Sequence, residues 1–68
     1  MVVSAEVRMA NDIAAQFGHL SREAAVAAVA AHLRAFWDPR MRARLLAHVA
    51  GGGPGLDPLV VEAASLLP

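Results

Sequence analysis

"AFWDPRMRARLL", residues 35–46, decides how this 68-residue chain folds. Its pivot is Asp38-Pro39. Proline disfavours helical geometry in the residue before it, so a helix arriving at this point ends near Trp37. Aspartate is a preferred N-cap and proline is over-represented at the first helical position, so a new helix starts at Pro39. That helix runs to about Ala50, where "GGGPG", Gly51 to Gly55, terminates it. Asp57-Pro58 repeats the device and opens a further helix, "LVVEAASLL".

Working outward, the segment before the pivot reads as a longer helix capped by Ser21, with Glu23 in its first turn where the helix dipole favours an acid. Val26, Val29, Ala30, Leu33 and Phe36 form its apolar stripe. An earlier helix spans about Ser4 to Phe17. Val7, Ala10, Ile13, Ala14 and Phe17 share one side of it and Met9 flanks them. Arg8, Asn11, Asp12 and Ala15 face away, and Gly18 stops the helix. Strand signals are weak, because no hairpin dipeptide joins alternating β-branched runs. The expected fold is all-α: one helical domain over residues 1–68, a small bundle of about four helices. The last two are short and each is opened by Asp-Pro. Short connections make neighbouring helices antiparallel or sharply angled.

Size limits what such a bundle does alone. A core in a chain below about 70–80 residues rarely supplies more than roughly 3–5 kcal/mol, and small proteins add a staple. There is no cysteine, so no disulfide forms. His19, His32 and His48 lack the close spacing of a structural zinc site. A partner is then the expected source of extra stability, and the hydrophobic fraction of 57% points the same way.

Several function classes fall away. Formal net charge is zero and all six basic residues are arginine. Neutrality argues against nucleic acid, whose binding rests on clustered positive charge. Arginine without lysine suits fixed bidentate pairing at interfaces, or reflects coding bias alone. The longest apolar run, "AAVAAVAA", is far short of the roughly 20 residues a membrane span needs. "MVVSAEVR" has no basic start leading into an apolar run, so the expected location is the cytoplasm. "GGGPG" lacks the Gly-Lys-Ser/Thr ending and the preceding strand of a phosphate loop, and reads as a connector. No nucleophile, base and orienting group assemble, and the carboxylates are either caps or spread along solvated faces. No catalytic, cofactor or metal site is expected.

Chemistry suited to recognition concentrates in the opening stretch. In the helix after Pro39, Met41, Leu45, Leu46 and Val49 define an apolar arc, and Arg40 and Arg44 lie on the opposite flank. Arg42 falls inside the arc and must either snorkel out or meet an acceptor. One reading makes Phe36 and Trp37 core anchors, Asp38 a cap and the arginines surface. The other makes this corner a docking site. In it Trp37 is the anchor, Asp38 and Pro39 fix the bend, and Arg40 and Arg42 pair with acceptors. Trp and Arg are enriched at binding hot spots. The candidate set is Phe36, Trp37, Asp38, Pro39, Arg40, Met41 and Arg42.

"RMANDIAAQF", "AAVAAVAAHLRAFWDPRMRARLLAHVAGG" and "GLDPLV" together resemble the small delta subunit of cytoplasmic NAD-dependent formate dehydrogenases. The resemblance runs from about Arg8 to Leu67, and "FWDPRMR" is its specific part. It implies a multi-subunit enzyme that oxidises formate to carbon dioxide and passes electrons to NAD. Molybdenum or tungsten with pterin cofactors, iron–sulfur clusters and flavin would sit in the larger subunits, and none in this chain. The delta subunit would be a non-catalytic accessory that binds the large catalytic subunit and supports its assembly or cofactor loading. Two competing readings are a free-standing homo-oligomeric helical interaction module and a small helix-turn-helix nucleic-acid binder. Neutral charge argues against the second.

Overall fold

The computed structural model describes residues 4–67. Four helices follow one another, with no strand among the described residues: α1 Ala5–Gln16, α2 Arg22–Phe36, α3 Pro39–Ala50 and α4 Pro58–Ala64. Each begins at the cap its sequence offers. Ser4 Oγ accepts from the Val7 amide at 3.3 Å and Ser21 Oγ from Ala24 at 3.2 Å. Asp38 accepts from Met41 and Asp57 from Leu59, both at 2.9 Å. Each cap satisfies an amide that the first helical turn leaves without a partner.

The helix ends differ in mechanism. α3 closes in a Schellman arrangement: the Gly53 amide bonds the His48 carbonyl at 3.0 Å and the Gly52 amide bonds Val49 at 3.0 Å. Gly52 sits at φ 109°, a conformation that side chains resist. A Cβ there would meet nothing within 4 Å, so only the backbone limits this position. Gly52→Ala is therefore expected to lower stability by about 1–2 kcal/mol, read as a reduced thermal midpoint. Gly18 behaves otherwise. It does not adopt positive φ, and α1 is already closed by the Phe17 amide bonding Ala14 at 3.1 Å. The glycine marks the end of α1 without supplying a left-handed cap.

The core is drawn from all four helices. Val7, Ala10, Ile13 and Ala14 come from α1; Ala25, Val26, Val29, Ala30 and Leu33 from α2; Leu45 from α3; Val60, Ala63 and Ala64 from α4. α4 lies chiefly against α2, where buried alanines let the two backbones approach. Trp37, just past the end of α2, closes one side of this core.

The radius of gyration is 10.8 Å, against about 11 Å for a compact chain of this length. The hydrophobic fraction is nevertheless enclosed only in part. Much of it is alanine on outward helix faces, including Ala15, Ala24, Ala31, Ala43 and Ala47. Among the described residues the large exposed apolar side chains are Met9, Leu20, Phe36, Val61 and Leu66.

Candidate functional site

The bend between α2 and α3 splits the aromatic pair. Trp37 leaves the helix with φ −92° and ψ 137°, and its ring turns inward to 4% exposure. Phe36, still on the helix, is 76% exposed. This corrects two expectations: Phe36 does not join the buried stripe of α2, and Trp37 is not an exposed anchor. The helical period places Phe36 near Val29 and Leu33 on a wheel. At the last residue of α2, however, nothing from the other helices covers it.

Asp38 and Pro39 do what their types dictate, as cap and first helical residue of α3. Both are exposed. Met41 is half-buried against the core, while Arg40 and Arg44 project into solvent. Arg42 does meet an acceptor, and that acceptor is internal. Its guanidinium donates to the Trp37 carbonyl, and to the Arg34 carbonyl at 3.4 Å. The Arg34 oxygen belongs to the last turn of α2 and the Trp37 oxygen to its C-cap, where the helix dipole is negative, so a cation is favoured there. Arg42 fastens the start of α3 to the end of α2. Arg40 is the candidate arginine whose charge remains free for a partner.

Around Phe36 lies an open groove of about 470 Å³ lined by Met9, Asp12, Ile13, His32, Phe36, Trp37 and Met41. Its walls come from α1, the end of α2 and the start of α3. Met9 is 42% exposed, and the His32 ring lies tilted against Phe36 with centroids 4.8 Å apart. Two flexible thioethers and an uncovered phenyl ring make a surface that can mould itself to an apolar side chain. Phe36, Trp37 and Met41 come from the sequence-predicted set. Met9, Asp12, Ile13 and His32 were missed, although Met9 and Ile13, and likewise His32 and Phe36, stand one helical turn apart.

A second groove of about 600 Å³ runs between α2 and α4, lined by Arg22, Glu23, Val26, Ala27, Glu62 and Leu66. Glu62 accepts from Arg22 Nη2 at 2.7 Å and Nε at 3.0 Å. Those hydrogen bonds, then the carboxylate charge, hold the Arg22 guanidinium above its already high ordinary range. Both partners are solvent-exposed, so the pair orients α4 more than it stabilises it. Glu62 was expected to be merely solvated; its partner comes from 40 residues away.

The connector between α3 and α4 is tied down by a residue read as outward-facing. Asn11 Nδ2 donates to the Gly55 carbonyl at 2.9 Å, and its Oδ1 accepts from the Asp57 amide at 2.8 Å. His48 Nε2 donates to the Pro54 carbonyl at 2.7 Å. "GGGPG" is thus a pinned structural link whose polar groups are used internally.

Among the described residues no three His, Cys, Asp or Glu side chains stand together as a metal site. Among them, too, no helix is long and apolar enough to cross a membrane. The site's chemistry is that of apolar contact bordered by charge.

No curated protein and no solved structure matches this chain. One family model does, over residues 7–64: the NADH-dependent formate dehydrogenase delta subunit, FdsD. The match runs from the first turn of α1 to the last residue of α4 and takes in the whole of the bend.

Proposed function

The chain belongs to the family of NADH-dependent formate dehydrogenase delta subunits, and from that premise we propose that it docks on the large catalytic subunit through the groove around Phe36. As a delta subunit it is an accessory of the dehydrogenase and not its catalyst. Docking would hold the large subunit in a form suited to assembly or cofactor loading, in the cytoplasm. The residues proposed for contact are the bend, Phe36 to Arg42, with revised roles. Phe36 is the anchor, Met41 is a wall and Arg40 a polar contact. Trp37, Asp38, Pro39 and Arg42 hold the bend in shape.

One observation carries this reading: a phenylalanine with 76% of its surface uncovered, the most exposed of the large apolar side chains among the described residues, set beside two methionines in a groove. Exposed apolar groups gathered round a concavity mark interaction sites more often than isolated ones do. Because Phe36 makes few core contacts, its removal should leave the fold intact, within about 0.5 kcal/mol.

Phe36→Ala is expected to retain its helical circular dichroism and its melting temperature. Its recovery of the catalytic subunit in co-purification should fall about tenfold, an alanine-scan effect of at least about 1.4 kcal/mol. Full recovery of the complex by the folded variant would remove this groove as the docking site. Sedimentation of the isolated chain tests the competing module: a tight homodimer that excludes the catalytic subunit would favour self-association.

A further inference from the structure

We propose that Met9 is a modification site that governs docking: oxidation of its thioether by a hydroperoxide weakens binding at the Phe36 groove and leaves the fold intact. This rests on the docking reading above and adds its regulation. The chain carries three methionines, Met1, Met9 and Met41, and two of them line this one groove. The two differ in access. Met9 is 42% exposed, whereas Met41 is half-buried and packs against the core cluster. A peroxide has to reach the sulfur, so Met9 reacts first.

The step is an oxygen transfer. A lone pair of Met9 Sδ attacks one oxygen of hydrogen peroxide; a sulfur–oxygen bond forms and the oxygen–oxygen bond breaks. The sulfur is oxidised by two electrons. The other peroxide oxygen leaves with both protons as water. The product is a sulfoxide, polar where the thioether was apolar. In the free chain the new oxygen faces water, so α1 is undisturbed. Beneath a docked partner it loses that water. The polar side chains of the groove offer little in exchange: ionised Asp12 only accepts, the His32 ring lies against Phe36, and the Trp37 indole is buried. A polar group covered without a hydrogen bond weakens binding roughly tenfold or more. The same cover shields Met9, so the modification acts on the undocked subunit. A dithiol reductase reverses it: two thiols become a disulfide and the sulfoxide oxygen leaves as water.

The test exposes the full-length chain to hydrogen peroxide for increasing times, locates the added oxygen by mass spectrometry and measures affinity for the large catalytic subunit. Oxygen should appear at Met9 ahead of Met41. Affinity should fall about tenfold or more with helical circular dichroism unchanged, and methionine sulfoxide reductase should restore it. Met9→Leu keeps an apolar side chain without the sulfur. It should bind like the parent before peroxide and hold its affinity afterwards. In the preformed complex Met9 should oxidise more slowly than in the free chain. An equal loss by Met9→Leu would assign the effect to another methionine and overturn the inference, as would a loss of helicity that tracks oxidation of Met9. Undiminished binding by chain oxidised at Met9, while Phe36→Ala binds weakly, overturns the modification site and leaves the groove standing. If Phe36→Ala binds in full as well, the groove and its regulation fall together.

Discussion

Trp37→Ala is expected to unfold this protein at room temperature. The ring is 4% exposed and belongs to the same cluster as Ala10, Ile13, Leu33 and Leu45. Truncating a buried aromatic to alanine costs about 3–5 kcal/mol, from lost transfer energy and the cavity left behind. A core in a chain this short supplies roughly that much in total. The measurement is far-ultraviolet circular dichroism with a thermal melt, set against the parent and against Phe36→Ala. The neighbouring aromatics should differ sharply, one variant losing its cooperative melt and the other keeping it. A cooperative transition for Trp37→Ala within about 4 °C of the parent, equivalent to roughly 1 kcal/mol or less, would show the indole is not a core residue. The lone tryptophan also reports by itself: its emission in the native protein should be blue-shifted and move to the red on adding denaturant. The same result bears on function. Loss of complex by a Trp37 variant reads as loss of fold, so Phe36 and Arg40 are the informative positions for docking.

Removing the side-chain amide of Asn11 is the second large effect. Asn11→Ala is expected to cost about 2–3 kcal/mol. Each lost hydrogen bond contributes roughly 0.5–1.5 kcal/mol, and a stranded, partly buried amide adds to that. The stranded group is the Asp57 amide at the threshold of α4, now facing a methyl group in place of Oδ1. The Gly55 carbonyl loses its donor at the same time. Denaturant titration should show a lower midpoint, and hydrogen exchange should quicken first at Asp57 and along α4. Exchange in α4 that matches the parent's would mean the connector is held by its own glycines and by His48, and would sink this account of Asn11. Because α4 packs chiefly on α2, the local loosening should spread to the buried pair Ala63 and Ala64 before it reaches α3.

What could be read from sequence divides along the range of the forces involved. Ser21, Asp38-Pro39 and Asp57-Pro58 act within one helical turn, so their reading as helix starts needed nothing distant. Arg42 was legible as an anomaly, a cation inside an apolar arc. That its acceptors would be the Trp37 and Arg34 carbonyls depended on how sharply the chain bends. Asn11 was placed outward because α1 alone has one apolar face. Its partners arrive 44 and 46 residues later along the chain. Phe36 and Trp37 carried the same signal, adjacent aromatics at a helix end, and periodicity assigned Phe36 to the core.

By itself, then, the sequence determined four helices, their caps and their breaks, because capping, proline geometry and alanine's helix propensity are local terms. It also carried the family, through "FWDPRMR" and its surroundings. Only the tertiary structure decided which aromatic is enclosed, which arginines stay without partners, and that Met9 and Met41 flank Phe36 across an open groove. Those outcomes depend on where each neighbouring helix stops. A repeating pattern of apolar residues tells which side of a helix is covered, but not how far along its length the cover extends.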